Sequence, residues 1–198
     1  MKLLYVCQDY VVAEKPVGLS SEDGENSFPA LLRQQLGGEI FPIHRLDLNV
    51  GGVMVYARTK QAAAKLSSLV QGGELVKEYR AMVHGRPEND GDWEDLLFKD
   101  SRKNKVFVVQ KERKGVKKAR LTYHVIEGGE ISQVHIRLYT GRTHQIRVQF
   151  SSRGFPLVGD HKYGARDNEK MPMLFCCKLS FPWNGETKIY EKLPSWAV

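Results

Sequence analysis

The chain has 198 residues, which is long enough for one domain with a substantial buried core. Hydrophobic residues make up 41% of it and charged residues 27%, an ordinary composition for a water-soluble protein. No apolar run approaches the roughly 18 residues that a membrane span needs. Residues 1–9 become polar too soon for a signal-peptide core, so the sequence predicts a cytoplasmic protein.

The cysteines agree with a reducing compartment. Cys7 stands alone, and Cys176 and Cys177 are adjacent in an apolar run, where neighbouring strand residues point to opposite faces. We expect buried, reduced thiols, and no Cys-x-x-Cys spacing indicates zinc.

The first half of the chain predicts strands separated by helices. Alternating or β-rich runs predict strands at 11–14, 53–57 and 75–83, the first ending in a turn at Lys15-Pro16-Val17-Gly18. Helical spacing predicts a helix capped by Ser27 and a second capped by Thr59. These helices should end at the glycine pairs 37–38 and 72–73.

The second half is mostly period two from Trp93 to Leu138, which predicts a series of strands, and another strand is expected from Met173 to Leu179. Between them, residues 146–150 alternate like a strand. However, Thr143 and Gly154 are placed to cap a helix there, and periodicity does not decide. The expected fold is mixed α/β (α+β) with mainly antiparallel strands, in a single domain over 1–198.

The net charge of +7 is concentrated in one segment. Residues 99–120 contain ten Lys or Arg and two acidic residues, a net charge of +8. A charge run is often only a solvated face, but this concentration favours a polyanionic partner. Charge alone leaves RNA, DNA and anionic lipid open.

Polar residues and glycines cluster at 44–52 and at 140–147, where the expected core does not explain them. Both clusters contain side chains that can transfer protons or bind anions. Asp47 is the carboxylate of the first cluster, although a lone Asp is more often a cap or a salt-bridge partner than a catalyst.

The sequence resembles RluA-type pseudouridine synthases in five ordered blocks. They correspond to the family's early Lys-Pro-x-Gly turn, its catalytic motif, its Lys-x-Tyr-x-Ala-x-Val-x-Gly strand, its third signature and the loop after it. The blocks are Glu14 to Leu19, His44-Arg45-Leu46-Asp47, Lys77 to Gly85, Gly141 to Val148, and Gly154 to Gly164.

The resemblance implies isomerisation of uridine to pseudouridine in RNA, without metal or organic cofactor. It also implies a pseudouridine-synthase-like catalytic domain, with a bent, mainly antiparallel sheet, flanking helices and a central cleft. Asp47 would be the catalytic carboxylate, acting on the base, on C1′ or on a C2′ proton. In that cleft Tyr79 would stack on the uracil and Arg147 would pair with Asp47.

The same resemblance implies substrate-side roles for other residues. Arg45 would help to fill the space left by the flipped base. His44, Arg142, His144 and Ile146 would line or support the site. For the RNA backbone we expect contacts from Lys103, Lys105, Lys117 and Lys118. The expected partner is structured RNA, a ribosomal or transfer RNA stem-loop, rather than DNA or a membrane, and the default oligomeric state is a monomer.

The chain departs from the family pattern in two places. Val50-Gly51-Gly52 stands where relatives commonly carry Thr-Ser-Gly, and the backbone freedom of a second glycine is expected to replace the missing hydroxyls. The Lys-Pro-x-Gly block comes so early that no separate N-terminal RNA-binding domain is expected.

Two alternatives from other classes are weaker. One is a catalytically impaired RNA-binding homologue, which the presence of Asp47, Tyr79 and Arg147 together disfavours. The other is a metal-dependent hydrolase that uses His44, His144, His161 and Asp160, for which no metal-ligand spacing is found.

Overall fold

A computed structural model describes residues 1–197. The chain divides into two compact units. The first unit comprises residues 1–77 and 175–196, and the second comprises residues 78–174 with residue 197. The expected mixed α/β class is confirmed, whereas the single catalytic domain, the bend and the central cleft stay predictions.

The described residues form strands β1 to β11 and helices α1 to α3. The strands are β1 Lys2–Val6, β2 Tyr10–Lys15, β3 Phe41–Pro42, β4 Gly51–Ala57, β5 Val76–His84, β6 Asp90–Asp100, β7 Lys105–Val109, β8 Val116–Glu127, β9 Ile131–Leu138, β10 Leu174–Trp183 and β11 Glu186–Glu191. The helices are α1 Phe28–Leu36, α2 Lys60–Gln71 and α3 Gln145–Ser151, and His161–Tyr163 form one 3-10 turn. Within residues 1–197, no helix has both the length and the apolar character needed to cross a membrane.

The sheet of the first unit has the strand order β1-β2-β4-β10, with β11 beside β10 and β3 beside β4. Strand β4 is central, and all of its residues are buried. It runs antiparallel to β2 and parallel to β10. The sequence of a strand that is covered on both faces is typically a continuous apolar run, and residues Val53 to Ala57 form such a run.

Both predicted helices of the first unit are confirmed with their caps. The Ser27 hydroxyl accepts a hydrogen bond from the Ala30 N–H at 3.2 Å, and that of Thr59 accepts one from Ala62 at 3.1 Å. Each bond satisfies one of the unpaired N–H groups of a first helical turn.

The sheet of the second unit has the order β5-β9-β8-β6-β7. Pairs β9/β8, β8/β6 and β6/β7 are antiparallel, as the period-two pattern predicted. Alternate residues of β6, β7 and β8 form one face with an apolar centre, which we call the inner face. Its buried cluster contains Leu97, Val106 and Ala119, covered by Val148 and Tyr163.

Residues 145–151 form helix α3, which settles the ambiguity of that stretch. Phe150 packs edge-on against Trp93 and Tyr123, with ring centroids 4.7 and 5.2 Å apart. The expected caps are wrong: the N-cap residue is His144 instead of Thr143, and the C-cap residue is Ser152 instead of Gly154. Tertiary packing of an aromatic side chain therefore selects the helix where local signals are weak.

Cys176 and Cys177 lie buried in β10 as reduced thiols, as predicted, and Cys7 is also reduced. The short elements β1, β3 and β11 were not predicted from the sequence.

Gly52 of β4 is paired with Cys176 of β10 and has no room for a side chain. It has φ +138°, and a Cβ there would lie 2.5 Å from both the backbone N and the backbone O of Cys176. Gly51 has no left-handed φ, so the expectation that it contributes backbone freedom is wrong. Its requirement is space, because a Cβ on Gly51 would lie 3.3 Å from the Lys15 carbonyl oxygen.

We expect Gly52→Ala to destabilise the protein by about 3 kcal/mol or more, because the added methyl group would clash with backbone atoms, which could move only by distorting the sheet. Gly38→Ala is the matched control, since Gly38 has φ +72° but open space around it. Its cost should be near 1 kcal/mol, from strain alone. Urea unfolding measures both variants, and equal losses would show that the close approach is unimportant.

Candidate active site

Asp47 lies in the irregular segment between β3 and β4 and is half-buried. Its backbone carbonyl accepts a hydrogen bond from the Val50 N–H at 3.0 Å, which closes a turn directly before β4. The carboxylate is therefore carried by a short turn tied to the most buried strand of the first unit.

The residue before Asp47 is held from both sides by one buried hydroxyl. Ser21 Oγ donates to the Leu46 carbonyl at 2.9 Å and accepts from the Leu46 N–H at 3.1 Å. Ser21 is itself placed by Tyr56, whose hydroxyl donates to the Ser21 carbonyl at 3.3 Å. This reciprocal pair satisfies both backbone groups of Leu46 away from water.

Lys15 anchors the other side of the same turn. Its side chain is fully buried. Its Nζ donates to the carbonyls of Pro16 and Leu19 at 2.8 Å and lies 3.5 Å from the Leu48 carbonyl. Burial lowers the Lys15 pKa to about 8, and the Asp47 carboxylate acts in the opposite direction by attracting the charged form. A buried cation thus joins the Lys-Pro-x-Gly turn to the Asp47 turn.

His44 is a buried neutral imidazole. Burial, and secondarily the charge of Lys77, lowers its pKa to about 3. Its Nε2 accepts a hydrogen bond from the Val55 N–H at 3.3 Å, which fixes the ring against β4. Arg45 points instead to solvent, with a side chain 53% exposed and 3.6 Å from Glu22.

The second unit places Tyr79 on β5, where it is almost fully buried. It alternates with Glu78 and Arg80, which face the other side of the strand. Tyr79 therefore shares one buried face of β5 with Ala81 and Val83.

Arg147 is buried on α3 and is held by two hydrogen bonds to one carboxylate. Nε and Nη2 donate to the two oxygens of Asp160 at 2.7 and 2.8 Å. The guanidinium carbon also lies 5.0 Å from the centre of the Tyr163 ring. A bidentate pair fixes the plane of a guanidinium as well as its position.

The start of α3 is held by side chains of the same block. His144 has φ 51°, the left-handed conformation, and its Nδ1 lies 2.9 Å from the Tyr163 hydroxyl. That hydroxyl accepts from the Val106 N–H at 2.9 Å. Ile146 is buried, whereas Arg142 is exposed and its Nε donates to the Lys118 carbonyl at 2.9 Å. His144, Tyr163 and β7 thus form one connected polar network.

The chain is similar to known RNA pseudouridine synthases. The family model described as RNA pseudouridylate synthase matches residues 9–152. A protein of Aquifex aeolicus named as an uncharacterized RNA pseudouridine synthase is 31% identical, with 96% of this chain and 68% of that protein covered. The ribosomal large subunit pseudouridine synthase D of Yersinia pestis is also 31% identical, with 84% of this chain and 53% of that protein covered.

The chain belongs to the RluA-type family of RNA pseudouridine synthases. Its fold is that of the human RNA pseudouridylate synthase domain-containing proteins 1 and 4, with TM-scores of 0.86 and 0.82. They share 23% and 24% sequence identity with this chain; 99% and 98% of this chain is covered, and 84% and 89% of theirs. The chain spans about half the length of several curated relatives that it matches.

Within this RluA-type chain the expected residues are distributed between the units. His44, Arg45 and Asp47 belong to the first unit, and Tyr79, Arg142, His144, Ile146 and Arg147 belong to the second. The pairing of Arg147 with Asp47 stays a prediction. Sequence reasoning missed Asp160 as a partner of Arg147, although Asp160 and Tyr163 lie in the last family block.

Other supporting residues carried no signal strong enough to identify their roles. Ser21 lies outside the family blocks, and its contact with Leu46 spans 25 positions. Asp160, which the hydrolase alternative treats as a metal ligand, accepts a hydrogen bond from Arg147 instead. Within residues 1–197 no three His, Cys, Asp or Glu side chains are grouped closely enough to hold a metal ion.

The depressed pKa of Lys15 predicts a pH dependence of stability. An unfolded Lys15 binds its proton up to about pH 10.5, but the folded one releases it near pH 8. Between these values the unfolded state binds more protons, so this group makes the folded state more stable as pH rises. Relative to Lys15→Met, the wild-type free energy of unfolding should therefore increase by about 3 kcal/mol across that window.

The measurement is urea unfolding of both proteins at several pH values from 7 to 11. Lys60→Met, which removes an exposed lysine of the same unit, is the matched control and should show no such divergence. A constant difference between the wild type and Lys15→Met would mean that the folded Lys15 is not depressed.

Proposed function

We propose that the chain isomerises uridine to pseudouridine in structured RNA, with Asp47 as the catalytic carboxylate. The observation that carries the proposal is the half-buried Asp47 in its family motif, on a turn fixed by Ser21 and Lys15. A carboxylate that must meet one atom of a flipped nucleotide has to be held in place, and this turn has little freedom.

The reaction conserves atoms and electrons. The C1′–N1 bond of uridine breaks, a C1′–C5 bond forms, the proton on C5 leaves, and N1 gains a proton. An ionised carboxylate serves each route to this exchange: attack on the base, attack on C1′ or removal of a C2′ proton. No oxidant, metal or organic cofactor is required, so we expect turnover to be indifferent to a chelator.

The remaining site residues take the roles that the family motifs suggest. Tyr79 stacks on the uracil, and Arg147, whose guanidinium is held by Asp160, pairs with Asp47. Arg45, which is exposed beside the Asp47 turn, helps to occupy the space of the flipped base. His44, Arg142, His144 and Ile146 support or line the site.

The proposed substrate is a stem-loop of ribosomal or transfer RNA. The proposed enzyme acts as a monomer in the cytoplasm. Several relatives are named ribosomal large subunit pseudouridine synthase D, which supports ribosomal RNA as the first substrate to test. A stem-loop lowers the cost of unstacking the target, because its bases are already partly splayed.

The phosphate contacts are assigned to the basic arm, which we define as residues 99–120. Lys103, Lys117 and Lys118 are exposed, and Lys105 is half-buried. Lys118 has one weak, exposed acidic neighbour, Glu112, at 3.4 Å. Such pairs contribute little in water, so these cations remain available to phosphates.

We expect Asp47→Asn to lower pseudouridine formation in a ribosomal RNA transcript by about a thousandfold or more, because the amide can act neither as nucleophile nor as base. Site-selective chemical labelling of pseudouridine measures the product. Asp23→Asn, which changes an exposed carboxylate paired with Arg33, is the control and should leave turnover unchanged.

Activity retained by Asp47→Asn would refute the role of Asp47. A wild-type protein that binds its RNA but makes no pseudouridine in ribosomal or transfer RNA would identify a non-catalytic RNA-binding homologue instead.

Replacing Lys103, Lys105, Lys117 and Lys118 together by Gln should weaken RNA binding. The salt slope of log affinity should fall by about one for each phosphate that the protein no longer neutralises. Four exposed or half-buried lysines of the first unit (Lys2, Lys60, Lys65 and Lys188) provide a variant with the same change in net charge. If both variants bind RNA with the same reduced affinity, the effect reflects total charge, and the assignment of the arm is wrong.

A further inference from the structure

The basic arm and the adjoining part of β6 also carry apolar side chains on the face that points away from α3. Leu97, Val106 and Ala119 point to the inner face, so their strand neighbours point to the opposite, outer face. On that face Phe98 of β6 lies opposite Phe107 of β7.

These outer residues form a continuous group, which we call the outer patch. Phe98 is also opposite Val116 of β8, and Leu96 is opposite Val109 of β7. Phe107 is 36% exposed, and the other members are half-buried. A groove of about 470 Å³ adjoins the patch and is lined by Leu96, Glu112, Arg113, Val116 and Lys118.

Cations surround this apolar group. The guanidinium carbon of Arg113 lies 4.6 Å from the centre of the Phe98 ring. The ammonium groups of Lys103 and Lys105 lie 6.0 and 5.9 Å from the centre of the Phe107 ring. Lys118 lines the groove, where Glu112 is the one acidic lining residue.

Flat aromatic faces bordered by cations match the chemistry of unpaired nucleotides. Each base offers a flat π-face, each phosphate offers a negative charge, and stacking contributes to affinity without depending on sequence. A folded protein partner fits less well, because the centres of protein interfaces are poor in charge, whereas cations lie beside both rings here.

We propose that the outer patch binds unpaired bases of the RNA that lie outside the target uridine, with Phe107 as the stacking platform. This inference rests on the proposed function, because it adds a subsite for the same RNA. The flanking cations orient the strand, and the ring supplies a contact that a base-paired duplex cannot use.

The test compares two fluorescent probes, an oligouridylate and an RNA duplex, in binding titrations at several salt concentrations. Phe107→Leu keeps apolar area but removes the aromatic face. We expect its affinity for the oligouridylate to fall about fivefold or more, as for loss of one stacked base. Its affinity for the duplex and its salt slope should stay at wild-type values, since no charge is removed.

Two further variants control for structure. Tyr5→Leu removes an aromatic side chain of similar exposure, 42%, from the first unit and should leave both affinities unchanged. Phe107→Trp enlarges the ring and should bind the oligouridylate at least as tightly as the wild type.

An unchanged oligouridylate affinity in Phe107→Leu would overturn the proposal, as would an equal loss for oligouridylate and duplex. Binding of an acidic peptide in competition with the oligouridylate, lost equally in Phe107→Leu and Phe107→Trp, would overturn it in favour of a protein partner. Pseudouridine formation by the wild type is measured separately. Failure of turnover with ring-dependent binding intact refutes the proposed function and leaves the subsite standing.

Discussion

A charged group that is buried in a protein has to form hydrogen bonds or lie beside a counter-charge, since its desolvation otherwise costs several kcal/mol. The Lys15 ammonium meets this requirement with backbone carbonyls, two of them at 2.8 Å, in the turn at residues 16–19. The Leu48 carbonyl oxygen also lies near the ammonium group, and it accepts a hydrogen bond from the Gly18 N–H at 2.9 Å. These contacts link two turns that are far apart in sequence. Asp47 sits between Leu46, braced by Ser21, and Leu48, so the buried cation determines where the carboxylate can lie.

The second unit meets the same requirement in a different way. Arg147 is buried too, but it receives a carboxylate, Asp160, in a bidentate pair. Helix α3 has seven residues, too short to be stable alone, and it is held instead by Phe150 against Trp93 and by the pair with Asp160. Both units therefore present their family motifs on short segments whose geometry comes from buried polar contacts rather than from local propensity.

The difference between local propensity and contacts distant in sequence explains which elements the sequence could predict. Helices α1 and α2 were predictable to within a residue because Ser27, Thr59 and the closing glycines act within one turn of the chain. Helix α3 was not, because it begins at a left-handed His144 and depends on rings of β6 and β8. The motif residues were identified by family resemblance, whereas Ser21 and Asp160 became visible as supports only through contacts 25 and 13 positions away.

The two faces of the β6-β7-β8 region also have different roles. The buried cluster of the inner face packs against Val148 of α3 and against Tyr163. The outer face points away from α3, and its charge varies along the strands. Cations border Phe98 and Phe107 at one end, whereas Asp90 and Asp92 begin β6 at the other, where Asp92 already pairs with Arg120. A phosphate chain is therefore attracted more strongly to the first end than to the second, which gives a bound RNA a preferred end of this face.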